Sequence, residues 1–526
     1  MKLKKVIACL FVIILTTATL AGCSKEELAL YKLSDELTTL KYTKPVQSEG
    51  KIDLELDVLP QEATDFIGDD ADVLAKLLDF VQANSLTYTV KSDVSKDLID
   101  ADINLMNKET GKEVPLMSVL RNDGTTYVKL DDYIKIIKEN FVNVGTEEEN
   151  EQVNLELDKM FGGLEYMSVS DEEVIVFVSQ MFKSALGSDA AAAAEMSAMY
   201  EDLLKQSVDT EYAIQKQKLN KQLMDALIKK VYNDYSFDLV KQDGNNYSIT
   251  LDADNIGTTL FSFADYSLEN SEELGETIKE FINNLSVEQY SMLVGAYAVN
   301  TINKEMVSEG IDEAMKDIVE NKEEYKEAIK EGVAMYDSMF KQYIDGSIIQ
   351  VTMGKDKNGT YTSEFMAKVK VNDLDTQKAV FDATLTIDEA IKEIAAFTVT
   401  APTENVSTFT EFLQSMPKVM TIETLTKSYS MFNFEKGMTM DTGDVNIVIV
   451  DDFSYLPFRK ISEMFGEQVE WDNVNRKAYI LRGEEKIEVD SILQDSSAYI
   501  KTREFEKLGY VVEWDDTTKI ITITKY

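Results

Sequence analysis

The sequence predicts an α+β protein: a body of antiparallel sheet and long helices, followed by a small α+β module with an internal duplication. Three observations support this class. Segments that alternate apolar and polar residues flank Gly- and Asn-containing turns, long central segments repeat apolar residues at helical spacing, and one strand–helix–strand pattern occurs twice near the C-terminus. With 526 residues and 44% hydrophobic side chains, the chain is expected to form several folded domains.

Residues 1–22 are predicted to be a signal peptide. Three lysines precede the apolar run Val6–Leu15, which is much shorter than the roughly 20 residues that a helix needs to span a bilayer. The segment ends in Leu20, Ala21, Gly22 and Cys23. These four residues resemble the bacterial lipobox, which implies cleavage before Cys23 and a diacylglycerol on its thiol.

The cysteine count agrees with a lipid anchor at the extracytoplasmic face of the membrane. The chain has two cysteines, and Cys9 lies in the predicted leader. Cys23 is the one that remains, and the lipid would occupy its thiol, so no disulfide is expected within the chain. Two acyl chains anchor a protein stably, whereas one does not.

Charge and histidine content exclude several functions. The formal net charge is −42, which disfavours nucleic-acid binding. The chain has no histidine, so Ser-His-Asp and Cys-His catalysis are excluded and the commonest zinc and copper ligand is missing. We therefore predict no catalytic residues, no metal site and no cofactor. A hydrolase built on paired carboxylates or a Ser-Lys dyad remains open by residue type, although no candidate stands out by its context.

The chain is predicted to divide into a lipidated tether over 23–50, a body over 51–435 and a module over 444–526. Within the body, two strand-rich parts, 51–186 and 236–415, are expected to be related halves, with helical segments at 190–235 and 269–345. Individual signals in the body are the alternating Ile52–Val58, the helical pattern of Asp65–Asn84, the turns Asn122–Gly124, Asp243–Asn246 and Lys357–Gly359, the helix-forming run Ala190–Ala194, and the possible helix breaks Gly295, Gly310 and Gly332.

Strand–turn–strand patterns on both sides of helices resemble the curved antiparallel half-barrel of lipoprotein-carrier and mycobacterial-type lipid-binding lipoproteins. This resemblance implies an alternative function for the body. It would carry or sense a lipid or another apolar ligand within the sheet.

The C-terminal module repeats itself. Tyr455–Arg459 leads through Gly466 to Trp471-Asp472, and Tyr499–Arg503 leads through Gly509 to Trp514-Asp515. Each copy predicts an extended entry, a short helix with a Gly stop, and two strands joined by an Asp-containing turn. Pro457 suits the first turn of the first helix.

These motifs resemble the copper amine oxidase N-terminal-like (stalk) domain found in surface proteins of Gram-positive bacteria. The second copy departs from the pattern at Lys501 and Thr502, where proline and an apolar residue are usual. Copper chemistry is not implied, because a copper site would need histidine ligands. Trp471 and Trp514 either stack on sugars or pack in the core, and Arg459 and Arg503 either grip an anionic partner or pair with nearby carboxylates.

The sequence thus predicts a membrane-anchored surface lipoprotein that acts without catalysis. Its stalk-like module would serve as a spacer or would contact cell-wall polysaccharide or another surface protein. The apolar-ligand carrier is the main alternative, followed by a hydrolase of cell-wall glycans.

Overall fold

The computed structural model describes residues 24–58, 78–140, 147–185, 209–294, 302–374, 376–433, 439–450, 453–483, 485–494 and 497–525. The predicted signal peptide with Leu20, Ala21, Gly22 and Cys23 lies outside these ranges. So do most of the predicted helix Asp65–Asn84, the run Ala190–Ala194 and Gly295.

The first part of the chain mixes strands and helices. In chain order its elements are α1 (Lys25–Thr43), β1 (Val46–Val58), β2 (Asn84–Asp93), β3 (Leu98–Asn107), β4 (Glu113–Asn122), β5 (Thr125–Lys129), α2 (Asp131–Asn140), α3 (Glu147–Phe161), β6 (Tyr166–Ser170) and α4 (Asp171–Ala185).

The middle of the chain is mainly helical and returns to strands. Its elements are α5 (Thr210–Lys230), β7 (Val240–Asp243), β8 (Asn246–Asp252), α6 (Ile256–Glu269), α7 (Ser271–Asn284), α8 (Val287–Val294), α9 (Lys304–Glu320), α10 (Lys322–Met335), a π-helical turn (Tyr336–Phe340), α11 (Lys341–Tyr343), β9 (Ile348–Lys355), β10 (Tyr361–Asn372) and β11 (Ala379–Glu393).

The last part consists of short strands with three short helices. Its elements are β12 (Val406–Thr408), α12 (Phe409–Ser415), β13 (Lys418–Glu423), β14 (Ser428–Asn433), β15 (Thr439–Asp444), β16 (Val448–Val450), β17 (Phe453–Pro457), α13 (Phe458–Met464), β18 (Gln468–Asp472), β19 (Lys477–Arg482), β20 (Glu485–Val489), β21 (Ser491–Gln494), β22 (Ser497–Lys501), α14 (Glu504–Lys507), β23 (Val511–Asp515) and β24 (Ile520–Lys525). The predicted α+β class is confirmed.

The chain divides into two compact units, and neither is continuous in sequence. Unit 1 comprises the described parts of Met1–Thr146 and Asp202–Glu404, and unit 2 those of Glu147–Glu201 and Asn405–Tyr526. This division differs from the expected boundary between residues 435 and 444, because strands far apart in the chain pair with each other.

The two expected halves of the body are not separate in unit 1. Ten of its strands are hydrogen-bonded in the order β5-β4-β3-β2-β1-β11-β10-β9-β8-β7. β1 and β11 join the early and late strands, with an antiparallel register that runs from Val46 opposite Glu393 to Val58 opposite Asp382. A long antiparallel pairing satisfies the backbone hydrogen-bonding groups of both strands, so the early and late strands share one sheet. Strands from the expected halves, 51–186 and 236–415, therefore lie side by side in this sheet.

Residues 24–50 of the predicted tether form a helix and the beginning of a strand. Ser24 caps α1, and it forms a reciprocal capping box with Glu27. The helix ends at Thr43, just before Pro45, and its Leu37 packs with Val46 and other sheet residues in a small core. Leu37 is therefore buried against the sheet, and residues 46–50 of the predicted tether belong to β1.

The helices of unit 1 form a second core. It is built from α5 to α9 and the turn after α5, and its buried members are Leu219, Leu227, Val231, Tyr232, Tyr235, Phe263, Leu274, Ile278, Ile282, Leu285, Tyr290, Met292, Val307, Ile311 and Met315. Gly310 and Gly332 were expected as breaks but lie inside α9 and α10. A Cβ on Gly332 would lie 2.7 Å from the Phe261 ring, so that glycine permits close helix packing instead.

Unit 2 has its own core, and its sheets extend upstream of residue 444. β24 pairs with β13, and the sheet order is β15-β14-β13-β24-β23. Two further sheets have the orders β16-β17-β22-β21 and β18-β19-β20. Met420 and Ile422 from β13 share one buried cluster with residues from both copies of the repeat. The module predicted over 444–526 therefore needs β13 to β15 to complete its core.

None of the helices in the described ranges is both long enough and apolar enough to cross a membrane.

Candidate functional site

The two copies of the C-terminal repeat share their turn geometry. Gly466 and Gly509 adopt left-handed backbone angles, with φ of 78° and 87°, immediately after the short helices. A residue with a Cβ is strained there, whereas glycine is not. Both positions thus act as the helix stops that the sequence predicts.

Asp472 and Asp515 organise the turn at the end of each Trp-Asp strand. Asp472 accepts hydrogen bonds from the backbone N–H groups of Val474 (2.8 Å) and Asn475 (3.0 Å). Asp515 accepts them from Thr517 (2.7 Å) and Thr518 (3.2 Å). The backbone hydrogen bond from Asn475 is the main cause that lowers the pKa of Asp472. The pKa of Asp515 is lowered mainly by the Thr518 hydroxyl, which donates to it at 2.6 Å, and then by the backbone hydrogen bonds. Their role is the Asx turn that connects two strands.

The helices of the two copies differ in length. Pro457 ends β17 and is the residue just before α13, which has seven residues and contains Arg459. In the second copy Arg503 precedes α14, which has four. The stretch from the arginine to the glycine stop is one residue shorter in that copy. The two copies therefore present different surfaces despite their common turns.

A groove of about 520 Å³ opens on the first copy. It brings together three of the predicted motif residues, Pro457, Arg459 and Trp471. Its lining consists of Pro457, Phe458, Arg459, Lys460, Glu463, Glu470, Trp471, Leu493, Ser497 and Ala498. Trp471 is half-buried: it packs against the core of the module and also lines the groove.

Three of the four charged groups of the groove, Arg459, Glu463 and Glu470, form exposed ion pairs, and Lys460 donates to the Asp444 carbonyl. Arg459 Nη1 lies 3.2 Å from Glu463 Oε1, and both side chains are more than half exposed. Glu470 accepts from Lys486 Nζ at 2.8 Å. Surface ion pairs of this kind contribute little stability, so a ligand can exchange partners with them at small cost.

The second copy does not reproduce this arrangement. Trp514 is 43% exposed, and Lys519 Nζ lies 5.9 Å from the centre of its ring. Arg503 pairs with Glu506 and donates to the Val512 carbonyl at 3.1 Å. Of the two interpretations of Arg459 and Arg503, the structure shows the pairing with a nearby carboxylate.

A buried ionic cluster joins the two copies of the repeat, and it was not predicted from the sequence. The Glu467 carboxylate accepts from Arg482 Nη2 (2.6 Å), Lys525 Nζ (2.9 Å) and the Tyr510 hydroxyl (2.8 Å). Burial raises the pKa of Glu467, but these three donors outweigh it and lower the pKa to about 2. The repeat spacing offered a signal, because the spacing from Glu467 to Tyr510 equals that from Arg482 to Lys525.

The comparison with known families confirms the family resemblance of the C-terminal motifs. Residues 434–504 match the copper amine oxidase N-terminal domain family. The match covers the first copy and the opening of the second. That domain is a non-catalytic module. No curated protein and no solved structure matches the chain.

The copper amine oxidase N-terminal-like domain carries no metal-binding constellation in its described residues. Across all the ranges that the structure describes, no group of three or more Cys, Asp or Glu residues is arranged to hold a metal ion. The side chains that line the groove are aromatic, apolar, hydroxyl and charged groups.

Proposed function

We propose that this protein is a lipid-anchored, non-catalytic binding protein of the extracytoplasmic membrane face, and that the first-copy groove docks an uncharged segment of cell-envelope polysaccharide. The groove formed by Pro457, Arg459 and Trp471 is the observation that carries this proposal. A half-exposed indole beside hydroxyl, amino and carboxylate groups is the combination that binds the apolar and hydroxyl faces of a sugar.

Charge favours a neutral polymer over an anionic one. The chain carries a formal net charge of −42, which repels anionic wall polymers. The groove itself offers both signs, because its lining includes Arg459 and Lys460 as well as Glu463 and Glu470. Sugar hydroxyls accept from the first pair and donate to the second.

Anchoring through Cys23 is supported by the leader motif Leu20–Cys23. The Glu27 carboxylate, only 1% exposed, accepts from the backbone N–H groups of Ser24 (3.1 Å) and Phe237 (2.9 Å). A lipid on Cys23 would thus be one residue away from a helix that is tied to unit 1. The protein would be held close to the bilayer and not on a long flexible arm.

Two variants test the anchor. Cells that express the chain would be fed an alkyne fatty acid, and the protein would be followed in membrane and soluble fractions. Cys23→Ser is expected to lose the label and leave the membrane fraction. Cys9→Ser, which changes the other cysteine, is expected to keep the label and to stay in the membrane fraction. An unlabelled wild-type chain, or a Cys23→Ser chain that stays in the membrane, would refute the anchor.

Retention on immobilised neutral wall polysaccharide tests the groove. The chain from residue 23 onward with Cys23→Ser would be compared with the same chain carrying Trp471→Ala or Trp514→Ala. We expect Trp471→Ala to weaken retention about tenfold and Trp514→Ala to change it little. Equal retention of both tryptophan variants would contradict docking at the groove. So would a lack of wild-type retention.

A further inference from the structure

Helices α6 and α10 of unit 1 touch closely at one end. A Cβ on Gly332 would lie 2.7 Å from the Phe261 ring, and a Cβ on Gly257 would overlap the ring of Tyr336. The two helices are therefore already at their shortest separation there, and larger residues at these glycines would force them apart.

The same two helices are joined by ion pairs at the other end. Lys322 Nζ lies 2.5 Å from Glu269 Oε2, and Lys326 pairs with the second oxygen of that carboxylate. The helices α6 and α10 are therefore in contact at both ends, and a space remains between them in the middle.

That space is a cavity of about 510 Å³. Ala264 on α6 and Ala328 on α10 are among its lining residues, and their small side chains leave part of the space between the two helices unfilled. Leu274 from α7 and Met315 from α9 also line it. These helices are packed closely as well, because a Cβ on Gly275 would lie 2.5 Å from Met315 Cγ. The cavity is thus built into the packing of four helices.

The chemistry of the cavity is apolar. No charged side chain lines it among the residues that the structure describes. The hydroxyls of Tyr232 and Ser267 lie 3.2 Å apart and pair with each other, and the Tyr325 hydroxyl donates to Asp317 at 2.7 Å. These hydroxyls already have partners, so an occupant gains most by burying hydrocarbon.

Acidic groups lie beside the cavity. Asp265 and Glu323 are close enough to Lys326 to raise its pKa, after the larger effect of its hydrogen bond to Glu269. Asp317 and Glu324 lie near Tyr325 in the same way. Together with Glu269, these carboxylates outnumber the two lysines that pair with Glu269, Lys322 and Lys326. An anionic headgroup would therefore meet net repulsion, whereas an uncharged one would not.

We propose that this cavity binds a neutral, hydrocarbon-rich small molecule, such as an uncharged glycerolipid with a single acyl chain. The volume lies within the range of roughly 300–1,000 Å³ that is usual for small-molecule sites. The site differs from the apolar site expected within the sheet, because none of its lining residues belongs to a strand. It is also independent of the docking groove in unit 2.

Fluorescence of N-phenyl-1-naphthylamine, a neutral apolar probe, tests the site. The chain from residue 23 onward with Cys23→Ser is expected to enhance the probe's emission. Ala264→Trp fills the cavity and is expected to weaken probe binding about tenfold. Ala334→Trp makes the same change at an exposed position of α10 outside the cavity lining and is expected to leave binding unchanged. Ile329→Asp places a charge on the wall and provides a second loss-of-binding variant.

Competition identifies the class of ligand. Monomyristoylglycerol and myristate carry the same acyl chain, and at neutral pH only myristate is charged. We expect the neutral lipid to displace the probe at a concentration several-fold lower. Lack of emission enhancement, or unchanged binding in Ala264→Trp and Ile329→Asp, would overturn the site. Equal or better displacement by myristate would overturn its preference for neutral ligands.

Discussion

Tyr510 donates a hydrogen bond of 2.8 Å to Glu467, and the two residues occupy the same position in the two copies of the repeat. Each directly follows a glycine stop. Arg482 and Lys525, which also occupy equivalent positions, bind the same carboxylate. The duplication thus places the Tyr510 hydroxyl and the cations of Arg482 and Lys525 around the buried Glu467 carboxylate. This cluster links both copies of the repeat.

Glu467→Gln is expected to destabilise unit 2 by about 2–3 kcal/mol, because the variant leaves two cations without a buried anionic partner. Urea unfolding followed by tryptophan fluorescence measures this change. Both tryptophans of the chain lie in the module, so the signal reports on unit 2 alone. Glu463→Gln removes an exposed ion pair and is the matched control, with an expected loss below about 1 kcal/mol. Similar losses for the two variants would contradict a structural role for the cluster.

Acid should remove the contribution of Glu467. Its pKa falls from the ordinary 4.5 to about 2 on folding. A carboxyl whose pKa is lowered by folding stabilises the protein above its unfolded pKa, and this stabilisation is lost as the pH falls towards the folded pKa. The difference in unfolding free energy between wild type and Glu467→Gln should therefore narrow as the pH drops from about 5 towards 2. A constant difference between about pH 5 and 3 would rule out this linkage.

Close packing of α6 on α10 predicts a cost for a methyl group at Gly332. Gly332→Ala should destabilise unit 1 by about 1–3 kcal/mol, since the added Cβ would lie 2.7 Å from the Phe261 ring. Helical circular dichroism during thermal unfolding measures the loss. Phe261→Ala removes the clash, so the double variant should lose less than the sum of the two single changes. Additive losses would show that the glycine serves another purpose.

Glu27 should control the order of α1. Glu27→Ala leaves the Ser24 and Phe237 N–H groups without their acceptor and is expected to cost about 1–3 kcal/mol. Hydrogen exchange over residues 24–43 should accelerate in this variant. Glu26→Ala, in the same turn of the helix, tests whether loss of acidic charge near the helix N-terminus is enough to accelerate this exchange. Unchanged exchange in Glu27→Ala would mean that other contacts hold the helix.

Local features of the fold were readable from the sequence. The turns at Asn122–Gly124 and Asp243–Asn246, and the glycine stops at Gly466 and Gly509, occur where residue type predicts them. Each depends on backbone preferences and on hydrogen bonds within a few residues, which a short sequence window contains.

The site residues were only partly predictable. Pro457, Arg459 and Trp471 were recognised because they repeat as a motif, and the structure brings them together in one groove. Glu467 and Tyr510 were missed because they differ in type, although they share a position. A search for identical residues overlooks a pair that is complementary across a repeat.

The α+β class, the duplicated module, the predicted lipid anchor and the lack of histidine chemistry follow from the sequence alone. The pairing of β1 with β11 and of β13 with β24 was decided only in the tertiary structure, as were the Glu467 cluster and the cavity between α6 and α10. The physical reason is the range of the interactions. Turns and caps are satisfied by neighbours in sequence, whereas strand partners and cavities depend on how side chains pack between segments that are far apart in the chain.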